Sequence, residues 1–151
     1  METTTETIEI LNDLLAINND RIRGYENAIE ETPATDASLK SLFARMILES
    51  KDIRVELAEM VERFGGEFET GTTGAGKLYR AWMDVKTVFT GHDRQTVLSN
   101  CEFGEDAAQK AYRTALSSEE LDSETKTAII RQQQVLKISH DQIKALRDQS
   151  K

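Results

Sequence analysis

The sequence has a single cysteine, a single proline and no long hydrophobic run. Cys101 alone cannot close an internal disulfide, so nothing in the composition calls for an oxidising compartment. The opening residues "METTTETIEI" lack a basic region and an apolar core, and no segment approaches the length of a membrane span, so a soluble, cytoplasmic chain is expected. Basic residues are also in short supply: 19 Lys and Arg face 27 Asp and Glu, for a formal net charge of -8. That balance opposes the counterion-release binding that nucleic acid or an anionic membrane would require. At 151 residues the chain is expected to form one domain spanning positions 1–151, large enough to bury a core without staples.

One motif resembles a nucleotide-binding loop. In "ETGTTGAGKLYRAW", Gly71, Gly76 and Lys77 have phosphate-loop spacing. The chemistry needs a hydroxyl residue after the lysine to hold magnesium, and a buried strand to aim the loop. Leu78 stands where that hydroxyl belongs, and "VERFGGEFE" ahead of the loop ends a helical pattern. The segment reads as a connection and not as a nucleotide site.

Helical periodicity dominates the chain, and the expected fold class is all-α. A first helix is expected from about Thr7 to Glu31, with Ile8, Leu11, Leu15, Asn18, Ile22, Tyr25 and Ile29 along its seam. Pro33 in "ETPATD" forces a turn. A second helix runs from Asp36 to Phe64 through Leu39, Leu42, Met46, Glu49, Ile53, Leu57, Met60 and Phe64, stopped by Gly65 and Gly66. A crossover of about residues 65–93 carries a short amphipathic helix near Lys77 to Thr90, with Leu78, Trp82, Val85 and Phe89 on one side. Helices at Arg94–Leu116 and about Ser123–Asp148 follow, with Leu98, Cys101, Glu105, Ala108, Tyr112 and Ala115 on one seam and Ile129, Gln133, Leu136, His140, Ile143 and Leu146 on the other. Short turns within each pair imply antiparallel hairpins, and the long connection allows a crossing of the bundle.

Near the middle of each seam a polar residue interrupts the apolar pattern: Asn18, Glu49, Glu105 and His140. Antiparallel helices of similar length bring their midpoints to one level, so these side chains are expected to share a layer. Burying them unpaired costs several kcal/mol, about 2–7 for a polar group and more for a charge, so they must satisfy one another or an ion. Tyr25 and Tyr112 follow Asn18 and Glu105 by two turns. A shifted register that places Glu26 in the layer instead of Asn18 also fits the pattern.

This arrangement resembles the ferritin-like fold, whose di-metal members draw one Glu from each of two helices and a Glu-x-x-His pair from each of the others. "LNDLLAINNDRIRGY" is similar to the first helix of bacterioferritins, with Asn18 where the ligand Glu belongs. By that resemblance Glu105 matches a ligand, Glu49 and Asp52 match a pair in which Asp replaces His, and Lys137 and His140 match a pair in which a cation replaces Glu. The resemblance therefore implies metal ligands Glu49, Asp52, Glu105 and His140, with iron or manganese as the metal. Against it, the departures imply a former site in which Lys137 and His140 neutralise Glu49, Asp52 and Glu105 beside Asn18, Tyr25 and Tyr112, with no cofactor.

"DRIRGYENA", "FGGEFETGTTGAGKLYRAWMDVK", "NCEFGEDAAQKAYR" and "SHDQIKALRDQ" also resemble a family of small bacterial four-helix-bundle proteins of unknown function in the ferritin-like superfamily. That resemblance implies an antiparallel ferritin-like bundle and a role in stress. The leading expectation is a non-enzymatic bundle or interaction module; its rival is a di-iron or manganese carboxylate oxidase or storage protein. Trp82 and Phe89 offer a surface for a homodimer or a protein partner. Cys101 reads as a buried seam thiol, and His92 in "TGHD" as a turn residue.

Overall fold

The computed structural model describes residues 2–67 and 94–150. They form four α-helices: α1 (Glu2–Glu31), α2 (Ala37–Arg63), α3 (Arg94–Leu116) and α4 (Ser123–Gln149). The all-α expectation holds, and three of the four helices fall within a residue of their expected bounds. The first starts earlier, at Glu2 in place of Thr7. Its threonines are weak helix formers, so packing supports this extension: Thr7 is buried, with its hydroxyl 3.5 Å from the Glu120 carbonyl.

The helix ends are set by local chemistry. Asp36 caps α2 by accepting from the Leu39 N–H at 3.3 Å, and Asp122 caps α4 by accepting from the Thr125 N–H at 2.7 Å. At the far end of α2, Gly65 has a φ of 82°, its N–H donates to the Glu62 carbonyl at 2.9 Å, and the Gly66 N–H donates to the Val61 carbonyl at 3.0 Å. This pair of bonds is the Schellman stop, which an L side chain at Gly65 would strain. Gly66 serves a second purpose, since a Cβ there would meet the Ile8 side chain at 2.8 Å.

Side-chain pairs fix the direction of packing. Arg21 meets Ser50 while Asn12 meets Glu67, so α1 and α2 are antiparallel. Arg21 meets Glu105 while Asn18 meets Tyr112, so α1 and α3 are antiparallel too. Consequently α2 and α3 point the same way, and Glu67 and Arg94 lie at opposite ends of the bundle. In the ring of neighbours α1 packs on α2 and α3, and α4 packs on α3 and α2.

Two apolar clusters fill the interior. One, around Leu11, Leu15, Leu57, Ala108, Ile129 and Leu136, occupies the end near the α3–α4 turn. The other, around Tyr25, Phe43, Met46, Leu98 and Ile143, occupies the end near the α1–α2 turn. Between them lies a polar layer, as the interrupted seams predict. Among the described residues no helix is long and apolar enough to cross a membrane. The expected short helix with Leu78, Trp82, Val85 and Phe89, the Gly71–Lys77 motif and His92 lie outside the described residues.

Candidate functional site

Every position of α1 from Leu14 to Ile22 is buried, including Asn18, Asn19, Asp20 and Arg21. Asn18, fully buried, takes the central position and Glu26 is exposed, which decides the register of the first helix. The residue that organises the layer is Arg21, on the same face as Asn18 and Tyr25, with its side chain 1% exposed.

A guanidinium has five N–H donors and no acceptor, and each donor of Arg21 has a partner. Nε donates to Glu105 Oε1 at 2.5 Å, and Nη2 to Glu105 Oε2 and Glu49 Oε1, both at 3.3 Å. Nη1 donates to the Met46 carbonyl at 3.0 Å and to Ser50 Oγ at 2.8 Å. The guanidinium carbon stands 5.1 Å from the centre of the Tyr25 ring, within cation–π range. Burial opposes the Arg21 charge, yet the field and hydrogen bonds of Glu105 outweigh it, so the group is held more firmly protonated than a free arginine.

The bonds continue across the bundle. Ser50 Oγ donates to Asn18 Oδ1 at 3.0 Å, and Asn18 Nδ2 donates to the Leu14 carbonyl at 2.9 Å and to the Tyr112 hydroxyl at 3.1 Å. The Tyr112 hydroxyl donates to Gln132 Oε1 at 2.9 Å, and Gln132 Nε2 donates to Glu56 Oε1 at 2.7 Å. Ser139 Oγ closes the fourth side by donating to Glu49 Oε1 at 2.7 Å. Burial pushes the Tyr112 hydroxyl up, against the pull of Asn18 and Arg21. Burial and the field of Glu105 push the Tyr25 hydroxyl well above its ordinary value.

Of the expected ligand set, Glu49 and Glu105 do meet, with Arg21 between them. Asp52 is exposed on α2 and does not reach the layer. The expectation that Lys137 is the compensating cation is overturned: its side chain is 63% exposed and bonds Asp141, one turn along α4, at 3.0 Å. The physical reason is that α4 turns Ser139 and Gln132 inward, leaving Lys137 on its outer side. His140 is likewise not in the layer but in the seam between α3 and α4. There Nε2 lies 2.5 Å from Asp106 Oδ1 and Nδ1 lies 3.0 Å from Asp141 Oδ1. The Tyr112 hydroxyl engages Asn18 and Gln132, not a carboxylate.

Sequence reasoning missed Arg21, Ser50, Gln132 and Ser139. Spacing held a signal for Arg21, which is three residues after Asn18 and four before Tyr25 and so shares their face. An arginine is almost never fully buried without partners, which hid it. Cys101 is fully buried as expected, and burial together with Glu105 pushes its thiol well above the ordinary value.

A di-metal centre needs lone pairs from several carboxylates converging on two cations. Here the lone pairs of Glu105, and one oxygen of Glu49, face a group that cannot ligate and does not lose its proton. The central residues do not fit such a centre.

Comparison with known proteins agrees with the fold. Residues 6–118 match the family described as Domain of unknown function (DUF2383). A mutant of Dps1 from Mycobacterium smegmatis superimposes with a TM-score of 0.84 at 16% identity, covering 97% of this chain and 97% of that one. Ferritin-like, diiron-carboxylate proteins from Bacillus anthracis strain Ames superimpose with a TM-score of 0.71 at 18% identity, covering 100% of this chain and 99% of that one. No curated protein sequence gives a significant match.

Proposed function

The chain belongs to the DUF2383 family, a ferritin-like helical protein of unknown function, and from that premise we propose that it is a non-enzymatic bundle acting as an interaction module. The observation that carries this reading is the Arg21 guanidinium, whose five donors use the carboxylates of Glu49 and Glu105, the Ser50 hydroxyl and the Met46 carbonyl at mid-height of the bundle. A permanent cation there supplies the positive charge that a metal pair supplies in a di-iron protein, without redox chemistry or an open coordination position. Buried ion pairs of this kind add little net stability compared with an apolar core, but they penalise any packing that leaves one partner alone. The layer thus specifies register between the two apolar clusters.

The interaction role is supported by large apolar side chains left on the surface of α2 and α4: Leu48 is 60% exposed, Val55 57% and Ile138 70%. The rival reading, an iron or manganese oxidase or store, requires the same carboxylates to release Arg21. Iron(II) titration in air separates the two. The bundle reading expects oxidation no faster than in buffer and no change with Glu49→Gln. Two irons bound per chain, lost in Glu49→Gln, would overturn it.

A further inference from the structure

The seam between α3 and α4 gathers a second set of charged groups, apart from the central layer. Glu102 and Asp106 stand one turn apart on α3, and His140 faces them from α4. One carboxylate oxygen from each and one imidazole nitrogen lie within 4.8 Å of one another. The imidazole is aimed, because Asp141 holds Nδ1 at 3.0 Å while Nε2 points to Asp106 at 2.5 Å. A carboxylate on the far ring nitrogen is the arrangement that orients metal-binding histidines and raises their basicity. Glu102 is buried, His140 is half-buried at 17% side-chain exposure, and Asp106 is open to solvent.

We propose that Glu102, Asp106 and His140 form a three-ligand site for one divalent transition-metal ion, with solvent completing the coordination. An imidazole with two carboxylates suits zinc, cobalt, manganese or iron(II) better than calcium or magnesium, which prefer all-oxygen shells. Metal–ligand bonds of about 2.0–2.2 Å set tetrahedral ligands about 3.4 Å apart, so Nε2 and Asp106 Oδ1, now 2.5 Å apart, open by about 1 Å, while a pair at the 4.8 Å limit closes by about 1.4 Å. On binding, the Nε2 proton leaves to solvent while Nδ1 keeps its hydrogen bond to Asp141.

Arg147 forms an ion pair with Glu102. It also bonds Asp148 Oδ1, at 2.9 Å through Nη2, so it has a second acceptor when a metal takes Glu102. Arg147 is therefore a built-in competitor, and its removal strengthens binding. The site is independent of the central layer, and a seam ion leaves Arg21 and its partners in place.

The test is calorimetric titration of the full chain with zinc chloride, paralleled by the visible spectrum of the cobalt(II) form. The expected result is one saturable equivalent per chain, affinity lowered at least about tenfold by His140→Ala or Asp106→Asn, and lowered about tenfold by the positioning variant Asp141→Asn. Arg147→Gln is expected to raise affinity severalfold. All four positions lie at or near the surface, and circular dichroism verifies the fold. Absence of saturable binding, or binding indifferent to His140→Ala and Asp106→Asn, overturns the proposal. Binding that survives those variants but disappears with Glu49→Gln would overturn the seam site and the closed central layer together, whereas loss confined to the seam variants supports the seam and leaves the central reading standing.

Discussion

The centre of the bundle and the α3–α4 seam are built from the same materials, carboxylates around a nitrogen cation, and they behave as opposites. At the centre the cation is a guanidinium whose charge is permanent, whose donors are all used and whose own side chain is buried. In the seam it is an imidazole, which can gain and lose its proton, with one flank open to solvent. Depth decides the difference: a charge removed from water must be fixed and fully bonded, whereas a half-exposed one is free to exchange protons or partners.

Variants that strand a charge test this contrast most severely. Arg21→Ala leaves Glu105 and Glu49 facing each other without a cation, and is expected to lower stability by about 3–5 kcal/mol in urea unfolding. Pairing Arg21→Met with Glu105→Leu removes both charges and should recover most of that loss; failure to recover would mean that the layer does more than balance charge. A smaller loss is expected for Tyr112→Phe, about 1–2 kcal/mol, because Asn18 and Gln132 lose their shared hydroxyl in a buried setting.

The seam responds to pH through His140. Burial pulls His140 down, but its bonds to Asp141 and Asp106 outweigh that, and its folded value is raised above the ordinary 6.5. Protonated histidine thus favours the folded state. The stabilisation is fully present below about pH 6.5 and is lost as pH rises through the raised folded value. Solvent screening limits it to at most about 1 kcal/mol. In chelator-treated protein, the stability gap between wild type and His140→Ala should shrink across that interval; a gap that stays constant or widens would contradict the assignment. The smallest effect belongs to Lys137→Ala, expected to leave the unfolding midpoint unchanged, since its partner Asp141 lies on the surface.

How much of this was legible in the sequence differs from helix to helix. On α3 the expected seam of Leu98, Cys101, Glu105, Ala108, Tyr112 and Ala115 is buried at every position. On α2 the expected path through Leu42 and Glu49 is replaced by Phe43 and Ser50, while Leu39, Met46 and Ile53 are common to both. On α4 the path through Gln133 and His140 becomes Gln132 and Ser139, with Ile129, Leu136 and Ile143 held in common. A helix of 3.6 residues per turn places two adjacent residues almost equally well on the flanks of the inward stripe, and their spacing to the apolar anchors does not choose between them.

The sequence by itself determined four amphipathic helices, the breaks at Pro33 and Gly65, and a polar level between two apolar halves, because periodicity, proline and glycine act over a few neighbours. Only the tertiary structure decided which member of each adjacent pair turns inward. That choice depends on donors and acceptors from other helices. Arg21 is buried because Glu105, Glu49, Ser50 and the Met46 carbonyl converge on it, whereas Lys137 and His140 stay outside because Ser139 and Gln132 already meet the needs of Glu49 and Tyr112.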